Sequence, residues 1–179
     1  SYLMPTLNFL VRPLRWLEAI AKHQITHSGA PDFAFAACVQ ALARTPGWGA
    51  RLDSLQLLSC GAEPVRAGTL DAFANAFAPF GFNRAVLAPS YGLAEAVLGV
   101  AVHDTRDPLL AVSFDAQRLD RMEARPIDPQ ALGGRTLVGC GAPLPGFDLQ
   151  IVDPDTALPC APHQIGDIWV AGPSVARGY

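Results

Sequence analysis

The sequence predicts an α/β fold, a largely parallel sheet of βαβ units flanked by helices and followed by a small β-rich subdomain. Three observations carry that expectation. Strand-like and helix-like runs alternate from the start to about residue 103, the pattern that builds parallel sheets. A stretch richer in charge and proline then interrupts it, with Asp107-Pro108, Arg125-Pro126 and Asp128-Pro129. Beyond that stretch only short strand candidates recur between Pro/Gly turns, which reads as a distorted barrel or open sheet. The division is expected near Gly134, giving residues 1–134 and 135–179.

In order along the chain, Pro13 suits a first helical turn, and Leu14, Leu17, Ile20 and Ala21 follow at helical spacing. Ile25 to Ser28 reads as a short strand. Asp32 is placed to cap a helix from Phe33 to about Ala43, apolar nearly all round and therefore expected to be buried on more than one side. Pro46-Gly47-Trp48-Gly49 ends it. Leu55 to Cys60 is a strand stopping at Gly61. Thr69 is a candidate cap for a helix whose Leu70, Phe73, Ala74 and Phe77 share one face. Ala85 to Ala88 is a strand ending at Tyr91-Gly92-Leu93-Ala94-Glu95, and Ala94 to Val102 looks helical. Leu110 to Phe114, Leu137-Val138, Asp148 to Val152 and Ile165 to Val170 are the later strands.

Composition narrows the class. The chain has 179 residues, 50% of them hydrophobic and only 16% charged, against roughly 25% charged in an average soluble domain. Mean hydropathy is +0.23, yet no stretch is apolar for the length of a bilayer, since Gln40 and Arg44 interrupt the alanine-rich helix. Such a chain is expected to be part of a larger protein whose other parts cover some of its surface. Ser1 to Pro5 lacks the charged n-region of a signal peptide. Net charge is −3 with scattered basic residues, which argues against nucleic acid as a partner. Cys38, Cys60, Cys140 and Cys160 form no C-x-x-C pair, so reduced thiols in a cytoplasmic protein are expected rather than zinc or disulfides. His23, His27, His103 and His163 fit no metal pattern.

Two runs have the chemistry of a nucleotide site. Tyr91 to Glu95 joins a flat aromatic ring, a bare backbone and a carboxylate: groups suited to stack a base, approach a ligand closely and hold Mg²⁺. Stacking on Tyr91 would be worth roughly 1–3 kcal/mol. Ordinary strand-end packing and a carboxylate at a helix dipole account for the same residues. Gly61-Ala62-Glu63-Pro64, between strand and helix, can border a purine edge or form a simple tight turn. Ser28 to Phe35 can line an apolar tunnel or belong to the core. No nucleophile elbow, Walker loop or dinucleotide fingerprint is present.

These motifs together resemble the adenylate-forming superfamily of acyl-CoA synthetases, amino-acid adenylation domains and luciferases, and more closely the fatty acyl-AMP ligases. The resemblance is carried by Arg12 to Ile20, Ser28 to Phe35, Gly61 to Arg66, Tyr91 to Ala96, Val138 to Gly141, Pro143 to Gly146, and Gly166 to Val170 with Gly172 to Tyr179, in the family's order. Ala94, where the superfamily often has threonine, is typical of the acyl-AMP ligases. Asp32 stands where many members carry asparagine, and Asp167 where glutamate is common.

The resemblance implies the adenylate-forming fold in part, with ATP and Mg²⁺ used to convert a fatty acid to acyl-adenylate and pyrophosphate. The acyl group would then pass to the phosphopantetheine arm of an acyl carrier protein. Gly61, Ala62, Glu63, Pro64, Tyr91, Gly92, Leu93 and Ala94 would contact the nucleotide and Glu95 the metal. Ser28, Gly29, Ala30, Asp32, Phe33 and Phe35 would line the acyl site. Asp104 to Arg135 resembles the insertion that distinguishes these ligases from acyl-CoA synthetases, with Leu109, Leu110, Val112 and Phe114 available to pack on the parent domain. The phosphate loop is expected upstream, and the ribose-binding aspartate and catalytic lysine downstream, so the chain alone should be inactive. A long-chain acyl-CoA synthetase and a non-catalytic nucleotide-binding module are the alternatives.

Overall fold

A computed structural model describes residues 1–179. Its central sheet has five strands. Strand β1 (His27–Ala30) leads into helix α3 (Asp32–Ala43), then β2 (Leu57–Cys60), α4 (Ala67–Phe77) and β3 (Leu87–Leu93). The first three strands are parallel neighbours, with His27 opposite Leu57 and Leu58 opposite Leu87. This is the βαβαβ unit that the alternation predicts, with each crossover carried by a helix. Strand β4 (Leu98–Val102) adds antiparallel to β3, and the short β7 (Ala142–Pro143) adds antiparallel to β4.

Two further helices precede the sheet, α1 (Thr6–Val11) and α2 (Leu14–His23). The periodicity of α2 is borne out: Pro13 sits at its N-cap, and Leu14, Trp16, Leu17 and Ile20 are buried. All four residues of the predicted α4 face, Leu70, Phe73, Ala74 and Phe77, are buried too. Helix α3 packs against both α2 and α4. Edge-on aromatic contacts knit the helices to one another and to the neighbouring loops: Trp16 to Phe35 at 5.6 Å, Phe35 to Phe73 at 4.9 Å, Trp48 to Phe77 at 5.4 Å and Phe73 to Phe82 at 5.0 Å between ring centroids. Such pairs add to the burial of large rings about 0.5–1.5 kcal/mol each.

The structure corrects four local expectations. Ala94–Ala96 makes only one 3₁₀ turn, and Leu98–Val102 is a strand, not the continuation of a helix. Val97 and Leu98 take φ of 56° and 82°, which ends any helix, and the free edge of β3 then captures the segment. Tyr91 and Gly92 consequently lie inside β3, with a register shift between them, rather than beyond a strand end. Asp32 does not cap its own helix; Pro31 holds the N-cap position with no side-chain bond. Thr69 lies inside α4, whose N-cap is Arg66.

The remaining strands form two two-stranded ribbons. Strand β5 (Ala111–Asp115), followed by the short helix α5 (Ala116–Leu119), pairs antiparallel with β6 (Gly134–Val138). Strand β8 (Asp148–Val152) pairs antiparallel with β9 (Asp167–Ala171). The β5–β6 ladder ties the proline-rich stretch to the residues after Gly134. Leu109 and Val138 pack against the main core, whereas Leu110 is exposed. No helix is long and apolar enough to cross a membrane.

Candidate active site

A cavity of about 750 Å³ opens where β1 and β2 end, beside the β3–β4 pair. In open α/β sheets ligands bind outside the carboxyl ends of the strands, and the volume is that of a small-molecule site. Its wall is made from several elements. Strand β1 and its turn into α3 contribute Gly29, Ala30 and Pro31; β2 and its following turn contribute Leu57, Ser59, Gly61 and Ala62. Ser90 to Ala94 come from β3 and the turn after it, Leu98, Gly99, Ala101 and Val102 from β4 and Leu144 from the loop after β7.

The glycines are there because backbones meet. A Cβ on Gly61 would stand 2.6 Å from Ser90 Oγ and 2.7 Å from Ser90 O, and one on Gly92 would stand 1.7 Å from Leu98 O. Ser59 and Ser90 share a hydrogen bond of 2.8 Å, a polar pair on an otherwise apolar wall. Cys60, beside it, is buried, and burial followed by the neighbouring Asp32 charge pushes its thiol up to about 12. It stays protonated and is a poor nucleophile at neutral pH.

Of the residues expected at a nucleotide, Gly61, Ala62, Tyr91, Gly92, Leu93 and Ala94 converge on this cavity, while Glu63 and Pro64 do not line it. Glu63 instead turns to helix α3, where its Oε1 accepts the Phe33 N–H at 2.7 Å. Glu95 follows Ala94 directly, in the 3₁₀ turn. Its carboxylate accepts a hydrogen bond from the Tyr179 hydroxyl, and its carbonyl accepts the Ala176 N–H at 2.7 Å. The Tyr179 hydrogen bond, helped by a backbone N–H, holds the Glu95 carboxyl below its usual range. An ionised carboxylate at this position suits Mg²⁺, which is usually bound through one or two carboxylates together with substrate phosphates.

The residues expected at an acyl group divide. Gly29 and Ala30 line the cavity. Ser28 accepts the Trp16 indole N–H at 3.0 Å. Phe35 is wholly buried among Trp16 and Phe73, and Phe33 is half exposed against Phe9. Asp32 is buried, with its carboxylate taken up by Arg66 and Thr69. Sequence reasoning missed Ser59 and Ser90 as a pair and the β4 contribution. The first needs the β2–β3 register, which sets Ser59 opposite Ala88, to bring the two serines together; the second was hidden by reading β4 as a helix.

The model of the AMP-binding enzyme family matches residues 1–179. The chain belongs to that family of adenylate-forming enzymes. Within it, the similarity lies with fatty acid ligases. The chain is 38% identical over 180 residues to the medium-chain-fatty-acid–[acyl-carrier-protein] ligase JamA of Moorena producens, covering 99% of this chain and 30% of JamA. It is 35% identical over 179 residues to the long-chain-fatty-acid–AMP ligase FadD26 of Mycobacterium marinum, covering 100% of this chain and 30% of FadD26. The crystal structure of a fatty acyl-adenylate ligase from L. pneumophila in complex with acyl adenylate and pyrophosphate superposes with a TM-score of 0.87 at 37% identity, over 96% of this chain and 30% of that one. The chain thus spans about 30% of the length of the curated relatives it matches.

Proposed function

We propose that the cavity is the adenylate side of the active site of a fatty acyl-AMP ligase. One observation carries the reading: two runs 30 positions apart, Gly61-Ala62 and Tyr91 to Ala94, meet on one wall at the carboxyl end of a parallel sheet. The glycine backbones offer close approach to the nucleotide, Tyr91 offers a ring face, and Glu95 offers an oxygen for Mg²⁺ on the phosphates. Gly29 and Ala30, across the cavity, border the path of the acyl chain. In the whole enzyme the fatty acid carboxylate attacks the α-phosphorus of ATP, its oxygen forming the new bond as pyrophosphate leaves. An acyl carrier protein then receives the acyl group through its phosphopantetheine thiol. The similarity to an acyl-carrier-protein ligase supports that acceptor.

The test uses the full-length enzyme with ATP and fatty acids of graded length. Acyl-adenylate detected by mass spectrometry, with pyrophosphate released in step, is the expected result. Tyr91→Ala should weaken nucleotide binding by about fivefold or more, from a stacking loss of roughly 1–3 kcal/mol. Normal acyl-adenylate formation and nucleotide affinity in Tyr91→Ala would overturn the assignment. A carrier protein and coenzyme A offered in competition decide the acceptor: an acyl-CoA product in the majority would favour a synthetase.

A further inference from the structure

The two connections that wall the cavity are tied to each other by side chains that do not line it. Neither helix that follows them has a side-chain cap of its own. Each is capped from the other's entry. Asp32, at the start of α3 and only 1% exposed, accepts the Arg66 N–H at the start of α4 on Oδ1, at 2.8 Å. Its Oδ2 accepts the Arg66 guanidinium at 3.2 Å and the Thr69 hydroxyl at 3.0 Å. In return, Glu63 Oε1 accepts the Phe33 N–H at the start of α3, at 2.7 Å. Asp32, Phe33, Glu63 and Arg66 close a ring that joins the β1–α3 and β2–α4 turns, and Thr69 is bonded to it through Asp32.

Next to Glu63, in the turn between β2 and α4, Ala62 is held at φ +66°. The left-handed region is unfavourable for a residue with a Cβ and persists only where surroundings impose it. Ala62 also lines the cavity, next to Gly61. We propose that Asp32 is a positioning residue: by anchoring Arg66, with Glu63 anchored on the adjoining Phe33 N–H, it holds Gly61-Ala62 in the conformation that receives the nucleotide. This rests on the nucleotide reading of the cavity and assigns Asp32 a role away from the acyl chain. A buried carboxylate whose oxygens are already engaged is suited to fixing backbone rather than to binding an apolar ligand.

The experiment compares Asp32→Ala, Asp32→Asn and Glu63→Ala in the full-length enzyme by steady-state kinetics and by hydrogen exchange of residues 61–66. Loss of a cap and its network predicts that Asp32→Ala raises the KM for ATP about tenfold, with kcat and the KM for fatty acid moved less than about threefold. Asp32→Asn keeps an acceptor for the Arg66 N–H and should return KM for ATP to within about threefold of the parent. Glu63→Ala, at a half-buried position, opens the ring from its other side and should raise the same KM even where Asp32→Ala folds poorly. Exchange at 61–66 should quicken in both alanine variants and remain slow in Asp32→Asn. Unchanged exchange, or equal rises in the two KM values, overturns the proposal. A parent enzyme that makes no acyl-adenylate sinks the nucleotide reading instead, and the exchange arm still decides whether the clasp holds the turn.

Discussion

Gly92 shows how much a single residue decides here. A Cβ at this position would lie 1.7 Å from Leu98 O, across the ladder that closes the cavity wall. Gly92→Ala should therefore cost about 2 kcal/mol or more, as a clash with backbone does, measured by denaturant unfolding. Gly68→Ala is its control: nothing lies within 4 Å of that Cβ and the residue is in α4, so a gain of up to about 1 kcal/mol is expected. The cysteines make a second residue-scale prediction. Burial pushes Cys38 and Cys60 from 9.0 up to about 12, so both bind their proton more tightly folded than unfolded. Their contribution is complete below pH 9.0 and is lost as pH rises toward about 12, which should appear as a falling melting temperature. At neutral pH a thiol reagent should modify the partly exposed Cys140 and Cys160 first, and Cys38 and Cys60 only on unfolding. The residue types at the site were legible in the sequence. The Asp32–Arg66 contact was not, because 34 positions separate the partners.

Elements were legible in proportion to how local their causes are. Helices α2 and α4 follow from apolar spacing, and their predicted faces are the buried ones. Phe73, wholly buried among Phe35, Phe77 and Phe82, should make α4 fail when truncated: Phe73→Ala is expected to cost about 3–5 kcal/mol, read by chemical denaturation. Strand β4 shows the opposite. Ala94 to Val102 has a helix-compatible composition, but its conformation is set by hydrogen bonds to β3 and by the turn at Val97 and Leu98. Propensity yields to a free sheet edge. The starts of α3 and α4 depart from expectation for a related reason, since the capping side chains come from the entry of the neighbouring helix rather than from nearby sequence.

At the scale of the molecule, the chain covers about 30% of its relatives' length, and large apolar residues such as Leu3, Leu7, Val11 and Leu132 are exposed. The phosphate-binding and lysine functions expected of the whole enzyme are not carried by the motifs found here. We expect pyrophosphate release from ATP and a long-chain fatty acid at the level of the blank for this chain alone; turnover well above blank would refute that. Titration with an acyl-adenylate analogue followed by calorimetry should show at most weak binding, reduced further by Tyr91→Ala.

Periodicity and motif order were enough for the parallel α/β class, the α4 core face and the two runs that meet at the cavity. These properties are written locally: a helix buries every third or fourth residue, and a strand-end glycine marks a close approach. Packing determined the rest. It made β4 a strand, set Tyr91 within a ladder, and turned Asp32 and Glu63 into caps for each other's helices. Those outcomes depend on which distant backbone groups lack partners once the chain has collapsed, and no single stretch of sequence contains that information.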